Sequence, residues 1–198
     1  MDDGRDAEAS LLRAPPVAAE PGWTPVEPLR IEGGRGSFVS GDPEGDTLRV
    51  AYFQRAGDGH LVGRAWFGEG TQGPPGHAHG GSTAAVLDEC MGAAAWQAGH
   101  AVVAVNLNVD LTAMLPLGTD ARFDAWVERV DGRKVYCRAR LFGADDPAGE
   151  HGDYASARGL FLTLDEARFH ALLDRVARTM GTTPEGLREA MRQRGWKG

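Results

Sequence analysis

Cysteine is scarce in this sequence: only Cys90 and Cys137 occur, each inside an apolar stretch and neither in a C-x-x-C or C-x-x-H pattern. That excludes a disulfide framework and a cysteine-built metal knot, and reads as two small buried hydrophobes in a reducing compartment. Basic residues are outnumbered, 21 Lys and Arg against 28 Asp and Glu, for a formal net charge of −7. Such a balance does not wrap a nucleic-acid backbone, which demands clustered cations to displace counterions. It still allows a few local basic residues to hold an anion, because screening limits distant charges to a reach of roughly 10 Å. No apolar run approaches the ~18 residues that cross a bilayer. The acidic start Met1-Asp2-Asp3-Gly4-Arg5 has no apolar stretch behind it, so no secretory signal is expected. These absences point to a cytoplasmic protein with neither nucleic acid nor membrane as partner.

A chain of 198 residues, 42% of them hydrophobic, can bury one full core. Residues 1–34 carry Pro15-Pro16, Pro21, Pro25 and Pro28, which interrupt any regular period, and read as a poorly ordered leader from which Trp23 and Leu29 can dock on the body. Strands are expected at 36–40, 47–55 and 60–67, the last two joined by the turn Ala56-Gly57-Asp58-Gly59. After the loop 70–76, the segment 81–98 contains no Lys or Arg and spreads Leu, Met and Trp around a helix, as a buried helix does. Within 101–111, Val103, Val105, Leu107, Val109 and Leu111 share one strand face and Ala104, Asn106, Asn108 and Asp110 the other. Further strands are expected at 120–130, 133–143 and 154–164. Strands, one helix and a second run of strands describe an α+β domain over 35–165 with an antiparallel sheet around a central helix. Beyond it, 166–198 forms a C-terminal helical extension: Phe169, Leu172, Leu173, Val176 and Met180 keep a helical period, and Thr183-Pro184 opens a second helix.

Asp88 stands out on the central helix. Its neighbours three and four positions away are Ala84, Ala85, Met91 and Gly92, so its own helix offers no cation. A carboxylate buried without a partner is costly and tends to have a perturbed pKa, which marks a functional candidate; the alternative is a basic residue or backbone amide reaching it from another element. Ahead of the helix, His79-Gly80-Gly81 leaves N–H groups at the helix N-terminus that can stabilise an oxyanion, although an ordinary loop-to-helix junction looks the same. From His79 to Asp88 the helix rises about 13 Å, whereas a base or nucleophile works within about 3 to 4 Å of the reacting atom. One chain's Asp88 and amides therefore do not readily serve one carbonyl. A symmetric dimer with antiparallel helices pairs the Gly81 end of one protomer with Asp88 of the other.

The run Gly73-Pro74-Pro75-Gly76-His77-Ala78-His79-Gly80-Gly81, followed by Asp88, Gly92, Asn106-Leu107-Asn108, Pro116 and Gly132-Arg133-Lys134, resembles the hotdog-fold thioesterase superfamily. The likeness extends over residues 46–165; within that superfamily, which also includes PaaI-like acyl-CoA thioesterases, it is greatest to the carboxyl-terminal-modulator-protein-like branch. It implies a helix wrapped by an antiparallel sheet, a homodimer or dimer of dimers, and hydrolysis of acyl-CoA to free acid and CoA, with coenzyme A entering as part of the substrate and no other cofactor. By matching positions, Asp88 is implied as general base or nucleophile, His79 as a thioester-positioning group and the Gly81 amide as part of the oxyanion site, with Gly80 beside it. Two departures stand out: Ala104 occupies a position where that branch carries a threonine proposed to assist the attacking water, and Gly73 replaces the Asn or Gln of the PaaI-like pattern. Asn106, Asn108 or Ser82 is then left to orient water or substrate.

Arg133 and Lys134 are candidates for the CoA phosphates through charge-assisted hydrogen bonds; a solvated turn is the equal alternative. His77 and His79 have metal-like spacing, but no further ligands complete a set, and no metal is expected. Ser82 has neither a nucleophile elbow nor a base beside it. Competing with the thioesterase are a hotdog protein that binds acyl-CoA or a partner protein without catalysis, suggested by Ala104, and a hydratase, disfavoured by the aspartate with H-G-G.

Overall fold

The computed structural model describes residues 18–26, 37–40, 44–146 and 152–193. Among these residues seven strands form one antiparallel sheet: β1 (Trp23–Val26), β2 (Leu48–Arg55), β3 (Leu61–Phe67), β4 (Val102–Leu111), β5 (Asp120–Asp131), β6 (Lys134–Gly143) and β7 (Asp153–Thr163). Their order in the sheet is β1-β2-β3-β5-β6-β7-β4. The central helix α1 (Gly80–Gln97) leaves the β3 end of the chain and packs across the sheet. The C-terminal helices are α2 (Glu166–Met180) and α3 (Pro184–Gln193).

The period-2 strands put Leu48, Val50 and Tyr52, then Phe123 and Ala125, then Val135, Cys137 and Ala139, and finally Ala155, Ala157 and Phe161 into one core with α1. From α1 that core receives Val86, Leu87, Cys90, Met91, Ala94 and Ala95, which fall on one helical stripe. The opposite side of α1, with Ala84, Ala85, Asp88 and Gly92, is only half-buried. A helix apolar all round is thus covered by its own sheet on one stripe alone. Gly159 in β7 permits the close approach of helix and sheet: a Cβ there would lie 2.5 Å from the Phe161 ring and 3.1 Å from Met91 Cε.

The α+β architecture and the strands from 47 onward agree with the reading of the sequence, and three local features differ. Residues 38–40 form a turn rather than a strand. Within the stretch read as a leader, Trp23–Val26 is a strand paired antiparallel with β2, and Trp23 docks against Phe53 with ring centroids 5.4 Å apart; Leu29 lies outside the described residues. The third difference is in β4. Its pairing with β7 slips between Ala104 and Asn106, a β-bulge that leaves Val105 as the extra residue. Directly opposed residues share a face, so Val102 and Ala104 lie on the α1 side together with Phe161, and beyond the bulge Leu107, Val109 and Leu111 do. The single face expected for Val103 through Leu111 is split, with Val103 on the far side. β4 ends the sheet, and Val103, Val105, Leu107 and Leu111 are 45%, 51%, 38% and 56% exposed, a degree of uncovering that no other strand's apolar residues share as a row.

The C-terminal helices start as their sequence signals suggest. Asp165 accepts the Arg168 N–H at 2.8 Å, and Thr183 Oγ1 accepts the Gly186 N–H at 3.1 Å. Phe169, Leu173, Ala177, Leu187 and Met191 form a second small core that meets Trp96, Ala101 and Leu164. The extension therefore seats on the C-terminal end of α1.

Candidate active site

The loop before α1 is held by backbone hydrogen bonds that leave little choice of path. His79 N–H donates to Thr71 O at 2.7 Å, Ala78 N–H to Leu115 O at 2.8 Å, Gly73 N–H to His77 O at 2.9 Å and Leu117 N–H to Gly76 O at 3.0 Å. His79 is the N-cap of α1, and its ring Nδ1 accepts the Gly81 N–H at 2.8 Å. That geometry requires the neutral tautomer with its proton on Nε2. The His79 carbonyl accepts the Ser82 and Thr83 N–H groups and, at 2.7 Å, the Ser82 hydroxyl. Of the first-turn donors, Gly80 is the one not committed to His79. Both departures from side-chain bulk near His79 have a steric reason: a Cβ on Gly73 would lie 2.8 Å from His79 Cα, and one on Gly80 would lie 2.6 Å from Leu111 Cδ1.

Asp88 lies seven residues beyond Gly81 on α1, about 10 Å along the axis. Its Oδ1 is buried and has no hydrogen-bond partner among the described residues, and burial first, then the charge of neighbouring Glu89, pushes the carboxyl above the ordinary carboxylate range. Among the described residues no basic residue or amide from another element satisfies that oxygen. Ala104 is opposite Phe161, and a Cβ on Gly92, one turn beyond Asp88, would touch the Phe161 ring at 3.7 Å. The position of the absent threonine therefore lies on the Asp88 side of the molecule, away from the His79 loop.

The remaining predicted residues are dispersed. Asn106 and Asn108 are exposed and, by their pairing with Leu160 and Arg158, lie on the sheet face turned away from α1. Arg133 gives its guanidinium to Thr163 O, with Nη2 at 3.1 Å, and Lys134 begins β6 on the exposed turn after Asp131. Arg138 and Arg140 on the same strand are paired with Glu128 at 2.7 Å and Asp153 at 2.9 Å. The structure thus gathers His79, Gly80, Gly81 and Ser82 at one end of α1 and keeps Asp88 at its middle. Among the described residues no group of three or more His, Cys, Asp and Glu is arranged to hold a metal ion, and no helix is long and apolar enough to cross a membrane.

Glu89 is the residue that the sequence reading passed over. Its carboxylate accepts from Ser37 Oγ at 2.6 Å, Ser40 Oγ at 2.7 Å and Tyr52 Oη at 3.0 Å. A second carboxylate on a helix devoid of cations was a visible signal; its partners, 37 to 52 residues away in sequence, were not. A separate cavity of about 250 Å³ lies between the β2–β3 hairpin, β5 and the C-terminal end of α1. There His60 bonds to Asp124 at 2.8 Å and stacks on Trp126.

This arrangement, a sheet wrapped on a helix that starts at H-G-G and carries a partnerless aspartate, is the hotdog α+β fold, and comparison with known proteins agrees. Residues 75–150 match the family model of the Thioesterase superfamily, a span that includes His79, Gly80, Gly81 and Asp88. Mouse (Mus musculus) acyl-coenzyme A thioesterase THEM5 is 34% identical over 93 residues, 47% of this chain and 36% of that protein. Acyl-coenzyme A thioesterase THEM4 of Xenopus laevis is 32% identical over 105 residues, 53% of this chain and 47% of that one. The chain thus spans about half or less of the length of these curated relatives. A crystal structure of a thioesterase superfamily protein superposes with a TM-score of 0.57 at 26% identity, covering 81% of this chain and 75% of the other. The Escherichia coli PaaI structure, at 15% identity and a TM-score of 0.51 over 60% and 80% of the two chains, shares the fold. The resemblance to the hotdog thioesterase superfamily read from the sequence is borne out.

Proposed function

We propose that the protein is an acyl-CoA thioesterase whose reacting carbonyl lies between Asp88 of one protomer and the α1 N-terminus of a second. The observation that carries this reading is the buried, unpartnered Oδ1 of Asp88, raised in basicity on a helix that opens with H-G-G. Support for the substrate comes from the acyl-coenzyme A thioesterases among the relatives. The half-buried stripe Ala84, Ala85, Asp88 and Gly92 together with the uncovered apolar edge of β4 supports a homodimer, which buries both without a new fold.

In the hydrolytic step Asp88 takes a proton from water as its oxygen attacks the thioester carbonyl, or the carboxylate itself attacks to give a mixed anhydride that water then opens. The carbonyl oxygen becomes an oxyanion at the Gly80 and Gly81 amides of the second protomer. The C–S bond breaks, and the CoA thiolate leaves and takes up a proton. Because the Gly81 N–H is given to the His79 ring at 2.8 Å, the ring has to turn aside for that amide to serve. Arg133 and Lys134, at the exposed β5–β6 turn, are the cations assigned to the CoA phosphates. A non-catalytic acyl-CoA-binding protein is the second reading, favoured by Ala104 and by the capped Gly81 amide.

Complementation tests the split site. Asp88→Asn and His79→Ala are each expected to lose free-thiol release over a panel of short, medium, long and aromatic acyl-CoAs. Mixed by unfolding and refolding together, they re-form one intact site per heterodimer, about a quarter of wild-type turnover for random pairing. No recovery in a mixture shown to contain heterodimers rejects the shared site, and acyl-CoA binding with no thiol release by wild type selects the second reading.

A further inference from the structure

Two adjacent carboxylates on one helix live in opposite surroundings. Among the described residues Asp88 has a buried oxygen with no donor, whereas Glu89 accepts three O–H bonds, from Ser37, Ser40 and Tyr52. Such a division of a carboxylate pair is how one group is made to keep its charge and the other to exchange protons. We propose that Glu89 is a positioning residue that holds a fixed negative charge beside Asp88 and so adds to the basicity of that carboxylate, an inference that rests on the thioesterase reading.

The geometry is specific. Both Glu89 oxygens are used: Oε2 by Ser37, and Oε1 by Ser40 and Tyr52. All three partners are hydroxyl donors, which suits a charged acceptor and supplies no cation to neutralise it. Ser40 is 2% and Tyr52 3% exposed, so two of the three donors are fixed by burial. Tyr52 remains a donor because burial, then Cys90 and Glu89, raise its phenol far from ionisation. Around the pair, the inward residues of β5, β6 and β7 are apolar apart from the Cys137 thiol, which burial pushes up to about 12. Cys90 on α1 is fully buried and likewise raised. Among the described residues, therefore, Glu89 is the charge next to Asp88 on its own helix, pointing to the turn 38–40 rather than at Asp88, and Tyr52, Cys90 and Cys137 are the titratable groups that the strands and helix add around Glu89, all neutral. The same bonds tie the turn 38–40, via the serines that flank and end it, to the helix turn that carries Asp88.

The test is the pH profile of thiol release by the full chain. Glu89→Gln keeps the shape and most of the hydroxyl contacts but removes the charge. Its acid limb is expected to move to lower pH and its plateau kcat to fall on the order of 3-fold, with KM unchanged. Glu89→Asp, which restores the charge, is expected to bring the limb back toward wild type. An unmoved limb in soluble, folded Glu89→Gln overturns the proposal, since a merely structural clamp changes stability and not the profile. Should Glu89→Gln fail to fold, the pair Ser40→Ala and Tyr52→Phe removes two donors while keeping the packing; a limb shifted in the same direction supports the proposal and an unmoved one rejects it. If Asp88→Asn retains wild-type turnover, the thioesterase role of Asp88 fails. If Asp88→Asn is inactive while the Glu89 limb stays put, this inference alone fails.

Discussion

Replacing Asp88 by Asn should make the protein less active and more stable at once. The activity side follows from the proposed role of Asp88 as a base: a positioned proton acceptor contributes roughly 10²–10⁴-fold, about 3–5 kcal/mol of barrier. An amide of the same size leaves binding in place, so the loss should fall on kcat in a thiol-release assay. The stability side follows from the surroundings. Burial and the Glu89 charge both oppose ionisation of Asp88, so its folded pKa is above its unfolded one. Stability from this group is fully present below the unfolded value and lost as pH rises through the folded value. At neutral pH the carboxylate is thus a burden, and Asn removes it. The side chain is half-buried, which lets solvent screen part of the penalty and limits the gain to about 0.5–1 kcal/mol, or ~1–4 °C in Tm for a chain of this size. As pH falls below the carboxylate range the two proteins should converge. A differential scan at neutral and acidic pH checks both arms. Wild-type kcat in Asp88→Asn, or a Tm lowered by several degrees at neutral pH, would refute the reasoning.

Three further outcomes are expected. Gly159→Val should cost about 1–3 kcal/mol in denaturant unfolding, because even a Cβ would stand 2.5 Å from the Phe161 ring; an unchanged midpoint contradicts the helix–sheet spacing. Val105→Lys puts a charge on the bulge of the exposed edge, where the wild-type side chain is 51% exposed; sedimentation should show a shift to monomer, with thiol release lost in parallel. Ala104→Thr sets a hydroxyl on the α1 side opposite Phe161 and should raise kcat several-fold without changing KM, an effect absent in Ala104→Val.

What the sequence made legible was whatever repeats or stands alone. The alternation in β2, β5, β6 and β7 is long enough to fix which side meets the core, and Asp88 is conspicuous on a helix without cations. β4 misled because its alternation is perfect in letters while one bulge residue, Val105, reverses it in space. Bulges of this kind are set by the partner strand, and the pairing with β7 is not written in β4. Trp23–Val26 contains Pro25, which in sequence signals irregular chain, yet an edge strand tolerates proline because one row of its N–H groups has no neighbour to serve. Glu89 escaped notice because its meaning depends on Ser37, Ser40 and Tyr52, brought together only by tertiary structure. The capping of Gly81 by His79 was hidden for a different reason: a helix N-terminus ready for an anion and one closed by its own side chain have the same letters.

The unequal anchoring of α1 bears on where the protein opens. Its last turns are clasped by Trp96 and the second small core from α2 and α3, while its first turn consists of two glycines closed by the His79 ring and the Ser82 hydroxyl. Local fluctuations are drawn from regions with few apolar contacts. Amide hydrogen exchange should therefore be fast at residues 80–83 and slow at 90–95, and ligand arrival should protect the former and leave the latter as they were. The helix behaves as a post fixed at one end, with the breathing confined to its N-terminal turn.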